Sequence, residues 1–150
     1  MKVISLIIKE VNIMKTIEVV AALIEKNKDV LATQRGYGEF KGKWEFPGGK
    51  IKENEDQETA LIREIKEELN ADIDVIDFLN TVECDYPEFH LIMHTYICNL
   101  KNEIEFVKHN ENELEHDNMV WLEKEDLDLL DWLPADIEVV KEYKKLRKIS

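Results

Sequence analysis

Residues 49–71 read Gly49-Lys-Ile-Lys-Glu-Asn-Glu55-Asp-Gln-Glu-Thr-Ala-Leu-Ile-Arg63-Glu64-Ile-Lys-Glu67-Glu68-Leu-Asn70-Ala71. Asn54 and Asp56 are both N-cap residue types, the run Gln57 to Leu69 is periodic, and Asn70 tolerates the left-handed conformation that ends helices. The pattern therefore predicts a helix over 57–69. At about 100° per residue from Glu64, Glu67 and Glu68 fall near −60° and +40°, while Leu61, Ile62, Ile65 and Leu69 occupy roughly 60° to 160°. One face is carboxylate and the adjoining one is core. Acids at i, i+3 and i+4 repel by a few tenths of a kcal/mol per pair, and only Arg63 and Lys66 stand near enough to offset them. A bound divalent cation would remove that repulsion, and a hard ion such as Mg²⁺ takes oxygen ligands while keeping waters and phosphate oxygens in its shell.

Upstream of the helix, Ile17 to Ile24 and Val30 to Thr33 read as the strands of a hairpin turning through Glu25 to Asp29. Gly36 to Lys43 is a Gly-, Lys- and aromatic-bearing loop, followed by a short strand at Trp44-Glu-Phe46 and a turn at Pro47-Gly48-Gly49. Downstream, Ile73 to Glu83 and His90 to Leu100 are β-branched and aromatic, and are expected to pair through Asp85-Tyr-Pro-Glu88. An acidic stretch, Lys101 to Asn118, precedes a strand at Met119 to Leu122. Pro134 then opens a helix whose apolar positions are Ile137, Val140, Tyr143 and Leu146. Without repeats or linkers, residues 14–150 read as one α/β domain.

The chain has 150 residues, 20 Lys plus Arg against 33 Asp plus Glu, and a formal charge of −13. That sign excludes a nucleic-acid polymer or an anionic membrane as partner and requires cations to mediate contact with any phosphorylated substrate. No apolar run approaches a membrane span, and Cys84 and Cys98 have no metal or disulfide spacing, so a cytoplasmic protein with reduced core thiols is expected. Monomer and homodimer both remain open. Residues 1–13 precede a second methionine, Met14. Lys9-Glu-Val-Asn12 is encodable by a ribosome-binding sequence, so this segment reads as translated leader or, alternatively, as an extra edge strand.

The spacing Gly49, Glu55, Arg63-Glu64-Ile65, Glu67-Glu68 closely resembles the Nudix hydrolase box, G-x5-E-x7-R-E-U-x-E-E-x-G-U, where U is aliphatic. Asn70 and Ala71 depart from its last two positions, neither of which is a ligand. Gln34-Arg35, Trp44 to Lys50, Glu115 to Trp121 and Leu133-Pro-Ala-Asp136 extend the likeness to MutT-type nucleoside triphosphate pyrophosphohydrolases. The resemblance implies an α/β/α sandwich around a mixed β-sheet. It also implies hydrolysis of a nucleoside triphosphate, modified ones included, to monophosphate and pyrophosphate, with water attacking the β-phosphorus. The cofactor it implies is Mg²⁺, with Mn²⁺ as substitute, held by Glu64, Glu67, Glu68, Glu115 and the Gly48 carbonyl. Glu64 is the favoured base, with Glu68 or Glu115 as alternatives. Lys50 would orient water or phosphate, and Arg63 and Glu55 would hold the acidic cluster and its loop.

Arg35, Phe89 and Asp136 would contact the substrate. Asp136 is either the base-reading residue or an N-cap of the last helix; if ionised it only accepts hydrogen bonds, which favours cytosine over 8-oxo-guanine, whereas a carboxyl kept protonated by burial could bind the oxidised base too. Trp44, Tyr86 and Trp121, like Phe89, either stack a base or belong to the core. His90, His94, His109 and His116 show no metal spacing. The rival functions are cleavage of ADP-ribose or another nucleoside diphosphate conjugate, and a non-catalytic nucleotide sensor.

Overall fold

The computed structural model describes residues 14–102 and 116–150. The 1–13 segment and Glu115 therefore lie outside the described residues, as does His109. Strand β1 (Lys15–Lys26) is apolar without interruption from Val19 to Ile24 because it is buried on both faces. It turns through Asn27, left-handed at φ 57°, into β2 (Asp29–Arg35). The hairpin is real but brief, since β1 and β2 pair only at Glu25↔Val30 and Lys26↔Asp29. The strands then diverge, and the wedge between them takes β3 (Trp44–Glu45) on β2 and β4 (Gly48–Lys50) on β1. The turn expected at Pro47-Gly48-Gly49 is thus corrected. The chain only bends at Pro47, whose carbonyl already accepts from Ala22 N–H at 2.8 Å, and the glycines form a strand because β1 offers them an edge.

Helix α1 (Gln57–Leu69) has the expected bounds, with Asp56 Oδ1 accepting from Thr59 N–H at 2.7 Å and Asn70 closing it at φ 49°. Ala60, Leu61, Ile65 and Leu69 are buried, but Ile62 is exposed and not part of the core as its wheel position suggested. Beyond it, β5 (Ile73–Asp85) pairs antiparallel with β6 (Phe89–Leu100), with bulges at Ile76 and Leu79. β6 runs parallel to β1 from Lys15↔Phe89 to Glu25↔Asn99, and β7 (His116–Glu123) pairs antiparallel with β2. The sheet is therefore mixed, in the order β3-β2-β1-β6-β5 with β4 on β1 and β7 on β2.

A 3₁₀ helix (Lys124–Leu129) leads into α2 (Pro134–Arg147). The two helices cover opposite faces. Val20, Ala22 and Ile24 pack with α1, whereas Ala21 and Leu23 pack with Val139, Val140 and Tyr143 of α2. The buried face of α2 is Ala135, Asp136, Val139, Val140 and Tyr143, which corrects the expected stripe: Ile137 and Leu146 are exposed. The C-terminal end of α2 is locked to β1 by Glu25, which accepts from Tyr143 Oη, Arg147 Nη2 (2.8 Å) and Lys124 Nζ (3.2 Å).

Candidate active site

The wedge that β4 fills is also where the charged face of α1 meets the sheet. Gly48 pairs with Ala21 and Gly49 with Val20; backbone excludes a side chain at Gly48, and one at Gly49 would displace the Glu64 carboxylate. A Cβ on Gly48 would lie 1.9 Å from the Val20 carbonyl oxygen, and one on Gly49 would lie 2.3 Å from Glu64 Oε2. The second distance shows that the Glu64 carboxylate rests on the bare backbone of Gly49.

Arg63 fixes that carboxylate. Its Nη1 donates to Glu64 Oε1 (2.9 Å) and Glu67 Oε2 (3.3 Å), while Nε and Nη2 grip Glu55 bidentately at 2.8 Å and Nη2 also reaches Lys50 O (3.0 Å). Glu55 in turn accepts from Lys52 N–H (3.0 Å), and these bonds, Arg63's foremost, hold its pKa down at about 2. One guanidinium thus ties the loop before α1, the end of β4 and the acidic face into a unit.

A cleft of about 420 Å³ opens over Val19–Ala21 of β1. At one end lie Gly48, Gly49, Lys50, Glu64 and Glu68; at the other lie Arg35, Tyr37, Phe40, Glu45, Tyr86, Phe89 and Asp136. Of the residues singled out from sequence, it brings together Gly48, Lys50, Glu64, Glu68, Arg35, Phe89 and Asp136. Glu67 and Arg63 do not line it. The Glu67 side chain is half exposed and turned to Arg63, and Arg63 grips Glu64 without itself lining the cleft. Trp44 packs on the core beside α2 and Trp121 on the core beside α1, which removes both from the base-stacking candidates. His90 bonds Asp85 and Glu83, and His94 bonds Thr81 and Glu18.

Asp136 is brought to the cleft by the segment before α2, where Trp44 N–H donates to Asp131 O and Leu133 N–H to Trp44 O, both at 2.9 Å. Its Oδ1 accepts the Phe46 N–H at 2.9 Å. The N-cap alternative is overturned, because the cap position is Leu133 and no side chain caps it. Burial pushes the Asp136 carboxyl up to about 8, Glu45 adds to the rise, and the Phe46 bond and Arg35 pull against it. Of the two forms this carboxyl can take, the raised pKa favours the protonated one, which donates as well as accepts, over the ionised acceptor.

Beside it, Arg35 grips Glu45 bidentately at 2.8 Å and lies under the Tyr37 ring at 5.6 Å. Burial opposes the guanidinium charge, but Glu45 outweighs it and its pKa is raised. Tyr86 stacks on Phe89 (5.0 Å, 20°), its hydroxyl accepts from Ala135 N–H (3.3 Å), and burial lifts its pKa to about 12. Sequence reasoning missed Glu45, Tyr37 and Phe40. A charged residue between Trp44 and Phe46 in an otherwise aromatic strand was the available signal for Glu45.

All the donors at the acidic end are hard oxygens. Among the described residues no three His, Cys, Asp or Glu side chains are grouped to hold a metal ion by themselves. Glu64, seated on Gly49, lines the cleft together with Glu68 and Gly48, and so few protein oxygens suit only a cation that retains waters and phosphate oxygens.

The NUDIX domain family matches residues 14–143. A CTP pyrophosphohydrolase of Escherichia coli strain K12 is 31% identical over 147 residues, 89% of this chain and 96% of that protein. An 8-oxo-dGTP diphosphatase of Proteus vulgaris is 37% identical over 93 residues, 60% of this chain and 83% of its own. Among solved structures, the E. coli ORF135 protein superposes with a TM-score of 0.76 at 31% identity, covering 89% of this chain and 92% of that one. MutT of Staphylococcus aureus, described as a Nudix hydrolase, does so with 0.68 at 37% identity, covering 89% and 98%.

Proposed function

From the premise that this chain belongs to the NUDIX family of hydrolases, we propose that it cleaves nucleoside triphosphates, modified ones included, to the monophosphate and pyrophosphate, in the nucleotide pool of the cytoplasm. The observation that carries this reading is the two-ended cleft, with carboxylates at one end and aromatic, arginine and carboxyl groups at the other. Hydrolases of this family work with a divalent cation, and Mg²⁺, with Mn²⁺ as substitute, is proposed here; Glu64, Glu68 and the Gly48 carbonyl would hold it, and Glu115 would join them. Bound there, the cation would neutralise phosphate charge and lower the pKa of water.

The chain's own groups divide the remaining work. Glu64 Oε1 is occupied by Arg63, so Oε2 is the atom proposed to take the proton of the attacking water. Lys50 orients the phosphates, and the Arg63 network holds Glu64 still. At the far end the base lies against Phe89 and Tyr86 and meets Asp136. As a carboxylic acid Asp136 accepts Phe46 N–H at one oxygen and can donate from the other, which suits O6 of 8-oxo-guanine as well as the ring acceptors of cytosine. Both substrate types named for the relatives, CTP and 8-oxo-dGTP, are thus candidates.

The test is product analysis on CTP, a 5-substituted dCTP, 8-oxo-dGTP and ADP-ribose. Monophosphate plus pyrophosphate is the expected outcome, and preferential release of ribose phosphate from ADP-ribose would replace the triphosphate reading. Glu68→Gln should lower kcat by about 10³-fold without lowering the thermal midpoint. Retention of more than about a tenth of the activity, or a wild type that resists EDTA, would refute the metal assignment.

A further inference from the structure

The base end of the cleft has a wall made by a loop. Between β2 and β3, Tyr37, Gly38, Glu39, Lys41 and Gly42 are exposed, and Phe40 alone within 37–42 is half-buried. The foot of this loop is tied down. Arg35 N–H donates to Lys43 O and Gly42 N–H to Arg35 O, both at 2.8 Å, and Gln34 Nε2 donates to Gly42 O at 2.9 Å. From the tip, the Phe40 ring meets Tyr86 edge-on, with centroids 5.3 Å apart at 77°.

That contact joins two separate walls. The loop leaves β2, Tyr86 belongs to the β5–β6 turn, and β1, whose residues 19–21 floor the cleft, stands between them in the sheet. The two rings are held very differently. Tyr86 is 7% exposed, stacked on Phe89 and hydrogen-bonded to the start of α2, whereas among the described residues Phe40 meets one ring, that of Tyr86. A phenylalanine offers no hydrogen bond, so what it can give a ligand is an apolar face, and a nucleobase is the planar group that such a face recognises.

We propose that Phe40 is a nucleobase-contacting residue that closes one side of the base subsite against the fixed Tyr86–Phe89 stack, setting affinity for the base without taking part at the phosphate end. The inference rests on the reading of the cleft as a nucleotide site. Phe40→Ala is expected to raise KM for CTP and 8-oxo-dGTP about 10-fold with kcat changed less than about threefold, as loss of uniform binding does. Phe40→Tyr, which keeps the ring, should stay within about twofold of wild type.

Calorimetric titration reads the same effect without turnover. Phe40→Ala should weaken CMP and 8-oxo-dGMP binding about 10-fold and leave binding of inorganic pyrophosphate with Mg²⁺ unchanged. Equal affinity of wild type and Phe40→Ala for the monophosphates would overturn the role of Phe40 alone. So would a parallel loss of pyrophosphate binding and thermal stability, which would mark the residue as structural. A wild type that binds neither monophosphate would instead sink the nucleotide reading itself.

Discussion

A carboxyl group with 3% of its surface exposed must either find a partner for its charge or give the charge up, and Asp136 does the second. Burial pushes its pKa up to about 8, so the protonated form prevails at pH 7. Two outcomes follow with defined signs. The folded protein keeps a proton that the unfolded chain releases near the usual 3.8, so the native state binds more protons between these values and stability falls as pH rises from about 4 to about 8. Asn keeps an acceptor for Phe46 N–H and does not titrate. The thermal midpoint of Asp136→Asn minus that of wild type should therefore grow with pH over this window and level off above it. Specificity should follow the same proton. Ionisation removes the donor, so the ratio of kcat/KM for 8-oxo-dGTP over CTP should fall about 10-fold or more in the wild type as pH rises through 8. Asp136→Asn, a permanent donor, should show a flatter ratio, with any titration of the base itself common to both proteins. Parallel profiles would remove Asp136 from base recognition.

At the scale of elements, α1 works as a lever clamped at one point. Asp56 and Asn70 define its ends, but the orientation of its acidic face comes from Arg63, whose five contacts reach Glu55, Glu64, Glu67 and the Lys50 backbone. Lysine carries the charge but cannot make the bidentate grip. Arg63→Lys is expected to lower kcat by about 10- to 100-fold and to raise the Mg²⁺ concentration for half-maximal rate, with KM for the base end nearly unchanged. A variant that loses only thermal stability would show that the clamp serves the fold and not the site. The same locality explains what could be read from sequence. The bounds of α1 depend on caps within three residues of each end, so the chain spells them out. Gly48-Gly49 after Pro47 has the composition of a turn, and only the edge of β1, far earlier in the chain, makes β4 a strand. α2 was misread for a chemical reason: a buried acid at 136 occupies a core position that hydrophobic periodicity cannot see, so the stripe was drawn through the exposed Ile137 and Leu146. Phe40 gave no signal because a lone aromatic in a glycine- and lysine-bearing loop fits any surface.

Over the whole molecule, the two-faced burial of β1 sets the floor of the cleft, and the charge of −13 sets how a polyphosphate reaches it. Arg35 is already matched by Glu45, and Lys50 lines the same cleft as Glu64 and Glu68, so these two cations do not outnumber the carboxylates there. A magnesium-bound nucleoside triphosphate is still an anion, and its approach is opposed over the screening length, about 30 Å at 10 mM salt and about 8 Å at 150 mM. At fixed free Mg²⁺, kcat/KM for CTP should therefore rise a few-fold as monovalent salt is raised across that range, with kcat nearly constant because the effect is on encounter. A 5′-triphosphorylated oligonucleotide adds a negative charge with every residue, and should remain a poor substrate at either salt concentration. A kcat/KM that falls with salt would mean that Lys50 and Arg35 dominate the local field and steer the substrate in. The −13 would then act on solubility alone, and Lys50→Gln should abolish the salt dependence that the wild type shows.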